Sequence, residues 1–193
     1  MKTWILGEVT PQDKRAVAIV GSRTPTKYGK DMAYKFAFEL AKNGVTIVSG
    51  LARGIDTVAH VAALAAGGRT IAVLGSGIDI IYPPENIALA NRITNSGALV
   101  SLFPVGTKPV GKNFLQRNEL IAKLSLAVLV VEGKQKSGTL STATHAANLG
   151  VEVFAVPGPV NSPMSEAPLY LIEQGARVAK SPADILEYLE SVY

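Results

Sequence analysis

The chain has 193 residues, 48% of them hydrophobic and 18% charged, which suits one globular unit with a sizeable core and excludes a disordered segment. It has no cysteine, so a disulfide framework and a zinc–thiolate centre are excluded, and no apolar run reaches the roughly 18 residues that a spanning helix needs. The net charge of +4 is unevenly spread: residues 1–136 carry 17 Lys/Arg against 9 Asp/Glu, and residues 137–193 carry 2 against 6, so a polyanion suits the first part and a solvated or protein-facing surface the second.

The start, Met1-Lys2-Thr3-Trp4, lacks the apolar core of a signal peptide, so the cytoplasm is the expected location. Residues 1–15 read as a leading segment, with Trp4, Ile5 and Leu6 packing onto the domain edge. Residues 16–20 (AVAIV) form a continuous apolar run, the mark of a strand buried on both faces of a parallel sheet. A helix is predicted over 29–43, with Met32, Phe36 and Leu40 on one stripe and Gly44 closing it. A strand at 45–48 and a helix at 57–66 come next, then a strand at 69–74. Tyr82-Pro83-Pro84 is a rigid extended piece before a helix at 85–96. A strand at 98–102 leads into a long loop, 103–113, rich in proline and glycine. The chain continues with a helix at 116–124, a strand at 127–131 and a small-residue helix from Ser137 to Leu149. A strand at 151–156, a turn-rich loop, a short helix, an edge strand at 176–178 and a closing helix at 182–190 complete it.

Strand–helix alternation with short connections predicts an α/β fold: a doubly wound, mostly parallel, extended Rossmann-like sheet in three α/β/α layers. No internal repeat or linker divides it, so a single domain over residues 1–193 is expected. Ligands of such sheets bind outside the carboxyl ends of the strands. The loops expected there are 21–28, 49–56, 75–84, 103–113, 132–139 and 156–167.

Several chemistries are missing from those loops. There is no G-x-G-x-x-G fingerprint, no P-loop and no G-x-S-x-G elbow. His60 and His145 lie mid-helix, where a packed or surface role is expected. Asp56, Asp79 and Glu132 could converge, but capping and turn roles account for the first two, so neither a metal nor a cofactor is expected.

What the loops share is hydrogen-bond donors and positive charge. The stretch 49–56 (SGLARGID) reads as strand, tight turn and helix start, with Asp56 as N-cap. On its own it is either an anion cradle built from a helix N-terminus and Arg53, or an ordinary connection with a solvated arginine. Ser22 and Arg23 follow the first strand and Ser49 ends the second. Lys108, Lys112, Asn113, Arg117 and Asn118 surround the long loop, and Ser137 and Thr139 open a later helix. Phe114 sits among cations, either stacking a base or stapling its helix to the core, and Tyr82 has the same two readings.

These residues stand in motifs. Gly21-Ser22-Arg23, the stretch 49–56, Gly75-Ser-Gly-Ile-Asp79 with Tyr82-Pro83, Asn113-Phe114-x-x-Arg117-Asn118, Ser137-Gly138-Thr139-x-x-Thr142-Ala143 and Ala155-Val-Pro-Gly158 occur in this order. Over roughly residues 4–190 the chain resembles the DNA-processing protein A (DprA/Smf) family. The resemblance implies a Rossmann-type domain that binds single-stranded DNA without sequence preference, and a role in protecting incoming DNA and loading a RecA-type recombinase during natural transformation. Arg53 and Gly54 would hold backbone phosphates and Lys112 would add charge from the loop. Phe114 would stack a base in a pocket shaped by Asn113, Arg117 and Asn118 and floored by Gly21, Ser22 and Arg23. A homodimer is a family expectation. The family's N-terminal helical domain and C-terminal winged helix are absent from these residues. Leu115 replaces a usual proline, and Glu119 replaces a second arginine, an acid expected to lower the pocket's positive potential. From Ser165 the family tends to show S-x-G-x-N, and here Ala167 and Leu169 stand at the glycine and asparagine positions, so the polar contact there is not expected.

The competing class is a nucleotide-processing enzyme of the phosphoribohydrolase (lysine-decarboxylase-like) type, or a nucleotide sensor. Aligning that enzyme's P-G-G-x-G-T-x-x-E on Gly138-Thr139 puts Thr142 where the acid–base glutamate belongs, so no enzymatic activity is expected.

Overall fold

The apolar runs assemble into one eight-stranded sheet in the computed structural model, which describes residues 3–135 and 137–192. The strands are β1 (Trp4–Gly7), β2 (Ala16–Gly21), β3 (Thr46–Ser49), β4 (Thr70–Leu74), β5 (Gly97–Ser101), β6 (Ala127–Val131), β7 (Glu152–Ala155) and β8 (Arg177–Val178). Their order is β1-β5-β4-β3-β2-β6-β7-β8, and every pairing is parallel except β1 with β5.

Side-chain alternation splits each strand between two cores. Val17, Ile19, Ile47, Leu129 and Phe154 face α1 (Lys27–Lys42), α2 (Ile55–Ala65) and α7 (Pro182–Val192). Ala18, Val20, Val48, Val73 and Val130 face α4 (Gly111–Lys123), α5 (Gly138–Asn148) and α6 (Glu166–Glu173). A smaller cluster packs α3 (Ile87–Thr94) on Leu74 and Leu99. The three-layer α/β/α architecture expected from the sequence is therefore present. Among the described residues no helix is long and apolar enough to cross a membrane.

At the amino ends of the strands, Asp13 ties the sheet together. Its carboxylate accepts from Arg69 Nε at 2.9 Å, the Thr46 hydroxyl at 2.8 Å and the Thr10 backbone N–H at 2.7 Å. Burial works against ionisation there, but these donors outweigh it and hold the carboxyl below its ordinary value.

Several boundaries differ from the sequence reading. Residues 4–7 pack onto the domain edge as expected, but as an antiparallel strand on β5 whose Ile5 and Leu6 side chains stay about half exposed. Helix α2 begins at Ile55 with Gly54 as N-cap, so Asp56 lies inside the first turn and is not the cap. Helix α4 begins at Gly111, directly after Pro109 and Val110, so Lys112, Asn113 and Phe114 belong to its first turn and not to a loop.

Strand β2 sits between β3 and β6, with α1 leading away to one side and the later crossover returning on the other. That is the topological switch point, and a crevice opens there beyond the carboxyl ends of the strands.

Candidate nucleic-acid interface

The crevice is a cavity of about 550 Å³. Its walls come from the turn after β2 (Gly21, Ser22, Arg23), from α4 (Phe114, Arg117, Asn118), and from the β6–α5 connection (Gly133, Lys134, Ser137, Thr139). Asp56, Thr142 and Met164 also line it. Among the described residues three cations, Arg23, Arg117 and Lys134, line it against one carboxylate, Asp56.

The loop between β3 and α2 is fixed from several directions. Asp56 accepts from the Gly50 N–H at 3.1 Å and the Ala52 N–H at 3.3 Å. The buried Arg117 guanidinium donates through one nitrogen to the Gly50 carbonyl and, at 2.9 Å, to the Val73 carbonyl. Asn86 donates to the Leu51 carbonyl and the Thr57 hydroxyl, both at 2.9 Å, and Thr57 donates to the Ala52 carbonyl at 2.7 Å. These bonds hold Leu51 at φ 58°, a left-handed conformation that a non-glycine residue keeps only when its surroundings impose it. Gly54, at φ 80°, lets the loop lie on the turn after β2: a Cβ here would sit 2.3 Å from the Ser22 carbonyl oxygen. Burial pushes the Asp56 carboxyl up, against the pull of Arg117 and the two backbone N–H groups.

The turn carrying Arg23 is fixed from the other side. The Ser22 N–H donates to the Glu132 carbonyl at 2.9 Å. The buried Glu132 carboxylate accepts from the Thr26 N–H at 2.8 Å and from the Thr26 hydroxyl, at the start of α1. Glu132 thus supplies the negative charge that the first turn of α1 lacks. Its own φ of 55° is a second left-handed backbone at the rim.

Phe114 packs against the fold on one side and faces the cavity on the other. One side of its half-buried ring lies on Gly75, where a Cβ would come 2.5 Å from Cδ1. Its centroid is 5.9 Å from that of the exposed Tyr82 ring, and the guanidinium carbons of Arg23 and Arg117 lie 5.8 and 5.6 Å from it. The result is an aromatic ledge between cations at the mouth of the cavity.

Not every predicted site residue reaches the cavity. Ser49 is fully buried and its hydroxyl donates to the Ile19 carbonyl at 2.7 Å, so it belongs to the sheet and offers nothing to a ligand. Asn113 is buried against the loop, with its amide 3.4 Å from the Lys108 carbonyl, and does not line the cavity. Lys112 is exposed on the outer turn of α4. Arg53 also lies outside the cavity lining, exposed at the rim and ion-paired with Glu85. Glu119 pairs with Lys123 at 2.5 Å and does not line the cavity either, so the acid expected to weaken the pocket is turned aside. Asn118 bridges two walls, accepting from Arg117 Nε at 3.1 Å and donating to the Gly138 carbonyl at 3.2 Å. Asp79 accepts from the Gly106 N–H at 2.9 Å, and among the described residues no cluster of three acids or histidines could hold a metal.

Lys134, Gly133 and Met164 also line the cavity, and no motif in the sequence marks them. Lys134 falls in the predicted strand-end loop 132–139, which was its available signal. Met164 arrives from a distant turn, its sulfur 3.5 Å from the Ser22 hydroxyl. Nothing in the spacing pointed to it.

A family model described as DNA recombination-mediator protein A matches residues 1–190. The chain belongs to the DNA recombination-mediator protein A family. Among curated relatives of this family, Protein Smf from Escherichia coli is 47% identical over 188 residues, covering 97% of this chain and 50% of that protein. DNA processing protein DprA from Bacillus subtilis is 46% identical over 184 residues, covering 95% of this chain and 62% of that protein. The chain thus spans about half to three-fifths of the length of these two relatives. The structure of DprA from Streptococcus pneumoniae superposes with a TM-score of 0.91 at 40% identity, over 96% of this chain and 65% of that one. A Helicobacter pylori DNA processing protein A, described for its single-stranded DNA binding mode, superposes at 0.90 with 33% identity, over 99% of this chain and 87% of that one. More distant likenesses, such as a molybdenum cofactor binding protein from Rippkaea orientalis at 19% identity and a TM-score of 0.64, show the shared fold alone.

Proposed function

We propose that this protein binds single-stranded DNA without strong sequence preference and acts in DNA uptake and recombination. The observation that carries this reading is the Tyr82–Phe114 ledge with Arg23 and Arg117 beside it, opening on the cationic cavity at the switch point. A ring stacks any base, because every base has a π-face, while the exposed Arg23 and Lys134 track phosphates and the buried Arg117 adds its positive charge beneath them. The Gly54 and Ser22 backbones set the distance between these two functions by locking adjacent loops together. The relationship to proteins named for DNA processing, one described with single-stranded DNA, supports the same reading.

The reading is of a binding protein and not an enzyme. Thr142 lines the cavity at the position where the phosphoribohydrolase pattern needs its glutamate. Asp56, the one carboxylate among the described lining residues, is already committed to two backbone N–H groups. A general acid or base needs a free proton site within reach of substrate. The proposal extends to a cytoplasmic homodimer that protects incoming DNA and passes it to a RecA-type recombinase, with the acidic residues 137–193 as a candidate protein-facing surface. Light scattering tests the dimer.

The deciding experiment is titration of a labelled oligonucleotide at low salt, with unlabelled mononucleotides as competitors. Binding that weakens steeply with salt and resists mononucleotides is expected. No binding at low salt, or release of free base from a nucleoside monophosphate, overturns the reading.

A further inference from the structure

Arg53 stands apart from the other cations of the site. It projects at the rim beside the Tyr82 hydroxyl, on the outer end of the aromatic ledge. Its guanidinium is not free: Nε donates to Glu85 Oε1, with the two side chains 55% and 50% exposed. This is a pair that water screens, so it holds only weakly. It is nonetheless built in. Glu85 sits on a short 3-10 turn, Pro84–Asn86, and the next residue, Asn86, is buried and donates to the Leu51 carbonyl at 2.9 Å. Leu51 is two residues before Arg53, on the loop already fixed by Asp56, Thr57 and Arg117. One rigid frame therefore presents both partners, and the acid engages the Nε edge of the guanidinium before any ligand arrives.

A carboxylate and a backbone phosphodiester make the same demand on a guanidinium, namely oxygen acceptors carrying one negative charge. We propose that Glu85 is an intramolecular competitor for phosphate at Arg53, an acid that limits affinity at the rim so that a bound strand can be released and handed on. The inference rests on the single-stranded DNA reading above and adds to it the residue that holds the site below its full strength. The pair's weakness is part of the device: a buried pair would block Arg53 permanently, whereas a screened one yields to a phosphate already held nearby by the ledge.

The test uses the whole chain and a labelled single-stranded oligonucleotide. Glu85→Gln keeps the shape and removes the charge. It is expected to tighten binding roughly two- to fivefold at low salt, the worth of an exposed pair, and to steepen the dependence of log affinity on log salt by about 0.7, one more phosphate neutralised. In an Arg53→Ala background the same substitution is expected to give no gain. Unchanged affinity of Glu85→Gln overturns the proposal. So does an equal gain in the Arg53→Ala background, because that reports only the change in overall charge. Wild-type binding with either of those outcomes leaves the single-stranded DNA reading standing. Absence of wild-type binding removes both.

Discussion

Phe114 is the residue on which the binding and packing roles separate most cleanly. Its ring is half-buried, with Gly75 beneath it and Tyr82 beside it. Truncating a fully buried phenylalanine costs about 3–5 kcal/mol; with half of that contact, Phe114→Ala is expected to cost about 2 kcal/mol of stability. A domain with about 5–15 kcal/mol in hand stays folded. Base stacking adds a separate loss of about 1–3 kcal/mol in binding, roughly five- to 150-fold in affinity. Phe114→Leu distinguishes the two. Leucine still fills the space over Gly75, so stability falls by less than about 1.5 kcal/mol, but it has no π-face and most of the binding loss remains. Gly75→Ala makes the same point from below. A methyl 2.5 Å from Cδ1 forces the ring to move while leaving it in the chain, and affinity falls with it. The assay is fluorescence anisotropy on a labelled oligonucleotide, paired with urea unfolding. If Phe114→Leu binds as the wild type does while losing stability, the ring is only a wedge and the stacking argument fails.

The sheet was legible because its strands are short, continuous apolar runs separated by glycine and helix formers. Six of them could be placed from residues 16–156 to within two residues at each end. The strand that was missed, β1, has four residues and an exposed edge, so neither period nor burial marks it. The start of α4 is hidden in the sequence because Pro109 and Gly111 look like breakers, yet proline just before a helix and glycine in its first turn leave the later hydrogen bonds intact. Motif order brought Gly21, Ser22, Arg23, Phe114, Arg117, Asn118, Ser137 and Thr139 to one cavity. It could not tell Ser49 from these, since a strand's last residue points to either face and here it points into the sheet. Nor could it assign partners. Arg117 meets the carbonyl groups of Gly50 and Val73, which lie 67 and 44 residues away, and Arg53 meets Glu85 across 32. Such pairings are set by topology and leave no local spacing to read.

Those long-range partners govern the remaining predictions. Arg117→Met removes the charge that faces Asp56 and leaves two carbonyl groups without a donor; it is expected to cost about 3–5 kcal/mol in urea unfolding, and a loss below about 1 kcal/mol would show that the guanidinium does not hold this wall together. Arg23→Ala, exposed at the rim, should leave stability unchanged and reduce the salt slope of oligonucleotide binding by about 0.7; an unaltered slope would place the phosphate elsewhere. His60 predicts a pH effect. The Thr70 hydroxyl donates to the Ile47 carbonyl at 2.7 Å, so at 2.7 Å from His60 it must accept the Nδ1 proton, leaving Nε2 buried as a bare acceptor with no partner among the described residues. Burial and the Arg117 charge lower its pKa from 6.5 to about 3. The folded protein therefore keeps His60 neutral where the unfolded chain takes up a proton, and stability present in full above pH 6.5 is shed as the pH falls towards 3. The slope from this one group approaches about 1.4 kcal/mol per pH unit, and subtracting the His60→Leu unfolding curve from that of the wild type isolates it from the acids that titrate in the same range. A flat difference curve over that window would mean that the imidazole finds a proton partner in the fold, and the assignment of Nε2 as a bare acceptor would be wrong.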